Sequence, residues 1–557
     1  MLETYTLTLD SGLDLRFISR EMLRELDPTK SPDDFQKLGI ACRVNAISSI
    51  KGAGSGHIGT SFSVIDLMLA TRLFLFGDTF NTNRKGSVLF SSKGHDAPGI
   101  YSVMNYFGEI PDEKLHELRR LNGLPGHPEV GIYGIPASTG SLGMGISKAK
   151  GIYYGKRLDG EEDFVVVVLG DGELQEGQIW ESLPGAARDN LSKLVVIVDA
   201  NKIQSDTWVS KTLPLGNLRS RVEGSDWKFH EINGHSYQEL KEVFHVVKHT
   251  PGPHFINANT LKAHGVSFMQ NFPEDGKFYK YHSGSPSDHE YELAINELES
   301  KLNQSVDLSS DYLPDHYNPK PRNRLFIQAW ADLLETWGLE NSRIFALDAD
   351  LSYDTGTYSF REKFPDRYLQ CGIAEQDMVS ISGGLALTGK LPLVHSFSSF
   401  LTTRPIEQIF NNVSESTLIH YVGFLAGILP SAPGHSHQAV SDVGIMKSMP
   451  GVSIIEPACE KELIDLFQNV ITKSNECLYL RLGSTELPGA YLEKIDNLYI
   501  RNKGNGRAVI TSGPTMTNIA LGMSQISNVD IAVITKPNLT KYFTKSEIEY
   551  LSQFSEI

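Results

Sequence analysis

Between Leu169 and Gly177 the chain reads Leu-Gly-Asp-Gly-Glu-Leu-Gln-Glu-Gly, and one helix length further on comes Asp199-Ala200-Asn201-Lys202. Each segment follows a pure apolar run, Phe164–Leu169 and Leu194–Val198. Runs of that length, bounded by polar turns, predict strands buried on both faces, joined by a crossover helix in a βαβ unit of a parallel sheet. Ligands of such sheets sit at the carboxyl ends of the strands, which places Asp171 and Asn201 side by side. An acid and an amide, beside glycines that let backbone come close, suit Mg²⁺ held jointly by protein oxygens and a diphosphate. A lone Gly-Asp-Gly is usually only a turn. The flanking strands and the asparagine after the second one are what turn it into a candidate site.

That spacing is the thiamine diphosphate fingerprint, and the residues around it resemble transketolases. Ser55-Gly56-His57-Ile58-Gly59 and Ser92-Lys93-Gly94-His95-Asp96 look like the first two histidine motifs of that family. Gly126-His127-Pro128-Glu129 and Ser138-Thr139-Gly140-Ser141-Leu142-Gly143 look like the next two. Gly372-Ile373-Ala374-Glu375-Gln376 and His435-Ser436-His437-Gln438 fall where a pyrimidine-binding domain should be. The resemblance runs from about Leu38 to the last residue, with its motifs in order.

The resemblance implies thiamine diphosphate with Mg²⁺ or Ca²⁺ as cofactors. Asp171, Asn201 and the backbone carbonyl of Ile203 would ligate the metal. Gly172, His95 and His282 would stand against the diphosphate, with Gly140 and Leu142 also in the cofactor site. Glu375 would hydrogen-bond the aminopyrimidine, which requires a carboxyl group in an apolar pocket where its protonated form can donate. Phe397 and Phe400 would cradle that ring. His57, His127, His437 and His282 would handle protons and hydroxyls on the sugar, and Arg481 would be a phosphate-binding arginine. Glu176 resembles an acidic residue at a subunit interface. The implied assembly is a homodimer with active sites at its interface, acting on sugars or sugar phosphates.

The sugar end departs from the family pattern. Ser431-Ala432-Pro433-Gly434 stands where Gly-Glu-Asp-Gly is usual, so Pro433 replaces an aspartate that reads hydroxyls. Leu425 stands where a histidine is expected, and Tyr358 near the place of a first phosphate arginine. Losing one of two charged forks should weaken the grip on phosphate. The expectation is transfer of a two-carbon ketol unit from a ketose to an aldose, on an unusual sugar less dependent on a terminal phosphate. A deoxyxylulose-phosphate synthase-like enzyme and a subunit or scaffold that needs a partner chain stay open as alternatives.

The elements that must position these groups are those of an α/β protein. At 557 residues the chain exceeds a single core. The fold expected is two doubly wound parallel-sheet domains plus a partial third α/β domain. The spans are an extension over 1–33 carrying one amphipathic helix, a diphosphate and metal domain over 34–304, a proline-bearing linker over 305–322, a pyrimidine domain over 323–495 and a partial C-terminal domain over 505–557. Half a domain would leave a sheet edge and an apolar face uncovered.

A net charge of −16 disfavours nucleic acid and anionic membrane as partners. No run approaches the roughly 18 apolar residues of a membrane span. The N-terminus lacks a signal pattern, and four scattered cysteines read as reduced thiols. These features predict a cytoplasmic protein.

Overall fold

Valine, leucine and isoleucine runs dominate the strands, and almost every one of them is buried. The computed structural model describes residues 4–78, 86–270, 279–303, 326–526 and 530–557, so the expected linker at 305–322 lies outside the described residues. The chain divides into two compact units: Met1–Tyr317 with Ala432–Ser436, and Asn318–Ser431 with His437–Ile557.

In the first unit β1 (Tyr5–Thr8) and β2 (Asp14–Phe17) form an antiparallel hairpin. This corrects the expected amphipathic helix in the first 33 residues. Thr-Leu-Thr-Leu and Leu-Asp-Leu-Arg-Phe alternate with period two around Ser11-Gly12, which is a hairpin signal. Helix α1 (Pro32–Ala53) starts where Ser31 Oγ accepts the Asp34 amide at 3.1 Å, with proline in its first turn, and stops at Gly54. Helix α2 (Ile58–Ala70) begins directly after His57, and every one of its residues is buried. The apolar stretch Ile58–Phe76 has the length of a membrane span, but 94% of its apolar window is buried inside the unit, so it is a core helix.

Strands β3 (Val88–Ser91), β4 (Val165–Gly170), β5 (Leu194–Ala200), β6 (Lys228–Asn233) and β7 (His254–Asn259) make a parallel sheet in the order β3-β4-β5-β7-β6. All of β4 and β5 is buried. Each apolar side chain so placed contributes roughly 1.5–3 kcal/mol, which fixes the pair in register. That register sets Gly170 opposite Asp199. Asp171 and Asn201 therefore leave adjacent strand ends together. Helix α3 (Gly177–Arg188) is the crossover between them.

The second unit holds a six-stranded parallel sheet. Its strands are β8 (Ile344–Asp348), β9 (Tyr368–Gln370), β10 (Leu391–Phe397), β11 (His420–Phe424), β12 (Val452–Ile455) and β13 (Cys477–Arg481), in the order β12-β13-β11-β10-β8-β9. Helix α4 (Glu375–Leu387) follows β9. Within the same unit β14 (Glu493–Ile495), β15 (Leu498–Asn502), β16 (Arg507–Thr511) and β17 (Ile531–Thr535) form a mixed sheet in the order β14-β15-β17-β16. The sequence signals predict β16 and β17 but not β14 and β15. Helix α5 (Glu460–Asn469) presents Glu462 to Arg501 in a fully buried ion pair at 2.6 Å, which ties the two sheets together. Helix α6 (Gly513–Ile526) packs on β16 and β17 but leaves Met516 and Ile519 half exposed.

Candidate functional site

Four loops at the carboxyl end of the first sheet bring together the histidines that the motifs singled out. His57 is central: its ring centroid lies 5.5 Å from His95, 5.9 Å from His127 and 5.7 Å from His282, and His95 and His282 are 5.6 Å apart. Burial, followed by the Lys93 and Lys262 charges, pushes His95 down to about 3. Burial also brings His127 to about 3, despite its hydrogen bond to the Pro433 carbonyl. His57 and His282 are held well below the ordinary range, by burial first and then by Arg119 and Lys262 respectively. All four are neutral imidazoles at physiological pH. The Pro433 carbonyl can only accept, so Nδ1 carries the His127 proton. Nδ1 of His57 is buried with no hydrogen-bond partner among the described residues.

Beside the imidazoles lies a set of oxygens. Asp171 Oδ1 accepts the Gly172 amide at 2.9 Å, and Asn201 Oδ1 accepts the Ile203 amide at 3.2 Å. Burial raises the Asp171 carboxyl to about 6, an effect that the Lys202 amide reduces and the Asp199 charge increases. A buried carboxylate short of positive charge, next to an amide oxygen and a backbone carbonyl, is the donor chemistry of a hard divalent cation. The cluster of neutral imidazoles, one with an orphaned nitrogen, offers donors to a diphosphate.

Four further groups hold this arrangement and escape the motif reading. Glu173, one residue past Gly-Asp-Gly, is buried. Its Oε1 accepts Ser92 Oγ at 2.5 Å and the Gly143 amide at 2.9 Å, and its Oε2 accepts the Gly170 amide at 3.1 Å. One carboxylate thus ties three of the motif loops together. Asp199 is fully buried; burial would raise its pKa, yet Lys93 and its hydrogen-bond donors hold it low. Lys93 Nζ reaches Asp199 at 2.6 Å and Asp96 at 3.2 Å. Lys262 Nζ donates to the Ile203 carbonyl at 2.6 Å and lies 3.1 Å from His282 Nδ1. The strand-end rule could have found Lys262, because it follows β7 of the same sheet.

Glycines make the close approach possible. Gly94 has φ +73°, and a Cβ there would stand 2.5 Å from the Gly140 nitrogen. Gly140, at φ +106°, packs on the His127 ring, and Gly143, one residue past Leu142, on Glu176.

The second unit brings together Glu375, Phe397, Phe400 and His437. The Phe397 and Phe400 centroids are 5.8 Å apart, and His437 lies 5.1 Å from Phe400 and 6.0 Å from Phe397. Glu375 opens α4 and is buried. Arg404 Nη1 donates to its Oε1 at 2.7 Å, while Oε2 is buried with no hydrogen-bond partner among the described residues. Arg404, which holds Glu375, also lies 4.4 Å from the Phe400 centroid, and an orphaned carboxylate oxygen in the same unit as this aromatic pair fits a heteroaromatic ring that offers a polar edge. Arg481 meets Asp442 Oδ2 through Nε at 2.7 Å and Glu456 through Nη1, so two acids neutralise its charge. Tyr358 stacks on Tyr353 at 4.5 Å, with the Arg361 guanidinium over its ring.

Comparison with known proteins places these residues in a family. The profile described as "Transketolase, thiamine diphosphate binding domain" matches residues 36–340, more than half of the chain, and "Transketolase, pyrimidine binding domain" matches 325–489. The chain is 30% identical over 438 residues to the transketolase of Homo sapiens, covering 75% of this chain and 68% of that protein. It is 26% identical over 576 residues to the 1-deoxy-D-xylulose-5-phosphate synthase of Clostridium perfringens, covering 92% and 85%. Among solved structures the transketolase of Campylobacter jejuni aligns with 94% of this chain and 91% of its own, at 20% identity and a TM-score of 0.41. With the diphosphate-domain profile spanning most of the first unit and the pyrimidine-domain profile covering the sheet that carries Glu375, this chain belongs to the transketolase family.

Proposed function

We propose that the chain is a thiamine-diphosphate-dependent transferase that moves a two-carbon ketol unit from a ketose to an aldose. The observation that carries this reading is the cluster of four neutral imidazoles around His57, next to the oxygens of Asp171, Asn201 and Ile203. Those three residues would hold Mg²⁺ or Ca²⁺, with Gly172, Gly140, Leu142, His95 and His282 at the diphosphate. The bound cofactor supplies an electron sink for the electron pair released when a ketose C2–C3 bond breaks. The chain's own part is to bind, orient and move protons. Glu375 Oε2, buried without a hydrogen-bond partner among the described residues, would meet the polar edge of the cofactor's aminopyrimidine, and Phe397 and Phe400 would cradle that ring. His57, His127 and His437 would handle the protons and hydroxyls of the substrate; as buried neutral imidazoles, His57 and His127 each offer one N–H donor and one acceptor nitrogen rather than a charge.

The substrate reading is a sugar that depends little on a terminal phosphate. Support comes from Arg481, whose guanidinium is already taken up by Asp442 and Glu456, and from Pro433 in place of an acidic residue. A homodimer, with Glu176 at its interface, and a cytoplasmic location complete the proposal. The four free, buried cysteines support a reducing compartment.

The test is a single-turnover assay with thiamine diphosphate, Mg²⁺ and hydroxypyruvate. Carbon dioxide release is expected from the wild type and should fall about 10²-fold or more in Glu375→Ala. A folded wild type that releases none overturns the reading. Faster turnover of pyruvate than of hydroxypyruvate would favour the synthase-like alternative, a reading supported by the extent of the Clostridium perfringens match. Steady-state kinetics that rank pentose 5-phosphates clearly above unphosphorylated sugars would refute the phosphate-independent substrate. Light scattering tests the dimer.

A further inference from the structure

The strand ends of the second unit carry an apolar crest that the motifs do not account for. In register, Arg481 stands opposite Gly423, Phe424 opposite Phe397, and His395 opposite Asp348. The loops that follow these strands therefore leave one end of one sheet side by side, which is where ligands of parallel sheets bind. Gln370 joins the loop after β8 to the one that leads to Glu375. Its Oε1 accepts the Asp350 amide at 2.7 Å and the Gly372 amide at 3.1 Å.

What these loops offer is apolar. After β8, Tyr353 and Tyr358 are half-buried, with ring centroids 4.5 Å apart and 23° between the planes. The Arg361 guanidinium over Tyr358 is itself paired with Glu362, at 3.4 Å. After β11, Leu425 is half-buried, while Ile428 and Leu429 are 58% and 37% exposed. Leu425 holds a φ of +51°, which a bulky side chain rarely adopts and the surrounding structure has to enforce. A Cβ on Gly427 would stand 3.4 Å from Arg481 Nη2, so this loop runs against the arginine. The charge there does not favour an anion. One guanidinium faces two carboxylates, Asp442 and Glu456, and all three side chains are 12% exposed or less. A phosphate beside them would meet two like charges for one opposite charge.

We propose that the acceptor of the ketol unit is an uncharged aldehyde with an apolar tail, alkyl or aryl, seated against Tyr353, Tyr358 and the 425–429 loop. This rests on the transfer chemistry proposed above and names its substrate class. The aldehyde carbon forms a C–C bond with the two-carbon unit, and its oxygen takes one proton. With hydroxypyruvate as donor, the bond to its carboxylate carbon breaks and the electron pair stays with the two-carbon unit as carbon dioxide leaves. No oxidant or reductant enters. Burial of apolar surface drives the binding of the tail, and the stacked phenols give an aryl tail a ring to pack on.

Steady-state kinetics of the full chain with thiamine diphosphate, Mg²⁺ and hydroxypyruvate test the acceptor, using propanal, pentanal, heptanal, phenylacetaldehyde and glyceraldehyde 3-phosphate. Along the alkanals kcat/KM is expected to rise about fourfold per methylene until the tail fills the site, and phenylacetaldehyde should exceed glyceraldehyde 3-phosphate about tenfold or more. Tyr358→Arg should flatten the alkanal series and raise the relative rate with glyceraldehyde 3-phosphate about tenfold. A loss of folding alone does not produce such a swap. Tyr358→Ser should flatten the series in the same way and replaces Tyr358→Arg should the latter not fold. A flat series, or glyceraldehyde 3-phosphate ranked first, with carbon dioxide still released, overturns the acceptor class and leaves the ketol transfer standing. A rising series that both Tyr358 variants leave unchanged overturns the seat on the tyrosine pair. A wild type that releases no carbon dioxide overturns both this acceptor and the proposed function.

Discussion

Glu173 shows how one side chain can decide the geometry of a site it need not enter. Its two oxygens collect Ser92 Oγ and the amides of Gly143 and Gly170, so the strand-end loop of β4 and the loops bearing His95 and Leu142 share one acceptor. Removing it leaves these buried donors without a partner, each costing about 1–3 kcal/mol where water cannot reach. Glu173→Ala is therefore expected to lower stability by about 3 kcal/mol in denaturant titration and to weaken thiamine diphosphate binding at least tenfold. Retained binding at unchanged stability would show the brace to be dispensable. The Gly-Asp-Gly turn beside Glu173 was legible because it interrupts an apolar strand. The brace itself was not legible, since a glutamate in the first turn after a strand is ordinarily a helix N-terminal residue. Arg404 escaped for the same reason: in Thr-Thr-Arg-Pro nothing marks it as the partner of a carboxylate on another helix.

At the scale of elements the mixed sheet and α6 carry a different lesson. The helix sits on β16 and β17, yet Met516 and Ile519, three residues apart and thus on one face, are 56% and 50% exposed. Side chains already half in water have little burial to lose. Met516→Ser and Ile519→Ser should each change the unfolding free energy by no more than about 0.5 kcal/mol, which urea titration can read. A loss well above that would mean that another surface covers the face in solution. Strands β16 and β17 were readable as short apolar runs. Strands β14 and β15 were not, because Glu493-Lys494-Ile495 and Tyr499-Ile500-Arg501 mix charge with apolar residues, and the buried Arg501 is matched by Glu462 and the Gly489 carbonyl, partners distant in sequence. The N-terminal hairpin, by contrast, is written in the alternation of Tyr5–Phe17, whose period is two and not the 3.6 of an amphipathic helix.

On the scale of the whole molecule, the imidazole cluster links stability to acid. The folded pKa values of His57, His95, His127 and His282 all lie below the ordinary value of 6.5. Below about 6.5 the unfolded chain takes up protons at these residues and the folded chain does not, so stability falls as pH falls. The loss continues down to about 3, where His95 and His127 titrate in the fold. Each group contributes a slope of about 1 kcal/mol per pH unit in this window. The urea midpoint of the first unit should therefore drop between pH 7 and 5.5, and His57→Asn should flatten that dependence by about one group. An unchanged slope in His57→Asn would show that its ring is already open to protons in the folded state.

The sequence by itself determined the two parallel-sheet cores, because residues buried on both faces must be apolar along their whole length and such runs are visible without any partner. It also determined which loops carry chemistry, since glycine, histidine and acid at strand ends are local signals, and those signals sufficed to identify the family. Only the tertiary structure decided how charge is distributed among these groups. Glu173 tying three loops, Lys262 on the Ile203 carbonyl, Arg481 neutralised by Asp442 and Glu456, and Arg404 on Glu375 all join residues from separate elements. A carboxylate or guanidinium looks the same in the sequence whether water or an opposite charge surrounds it, and burial determines which of the two it meets.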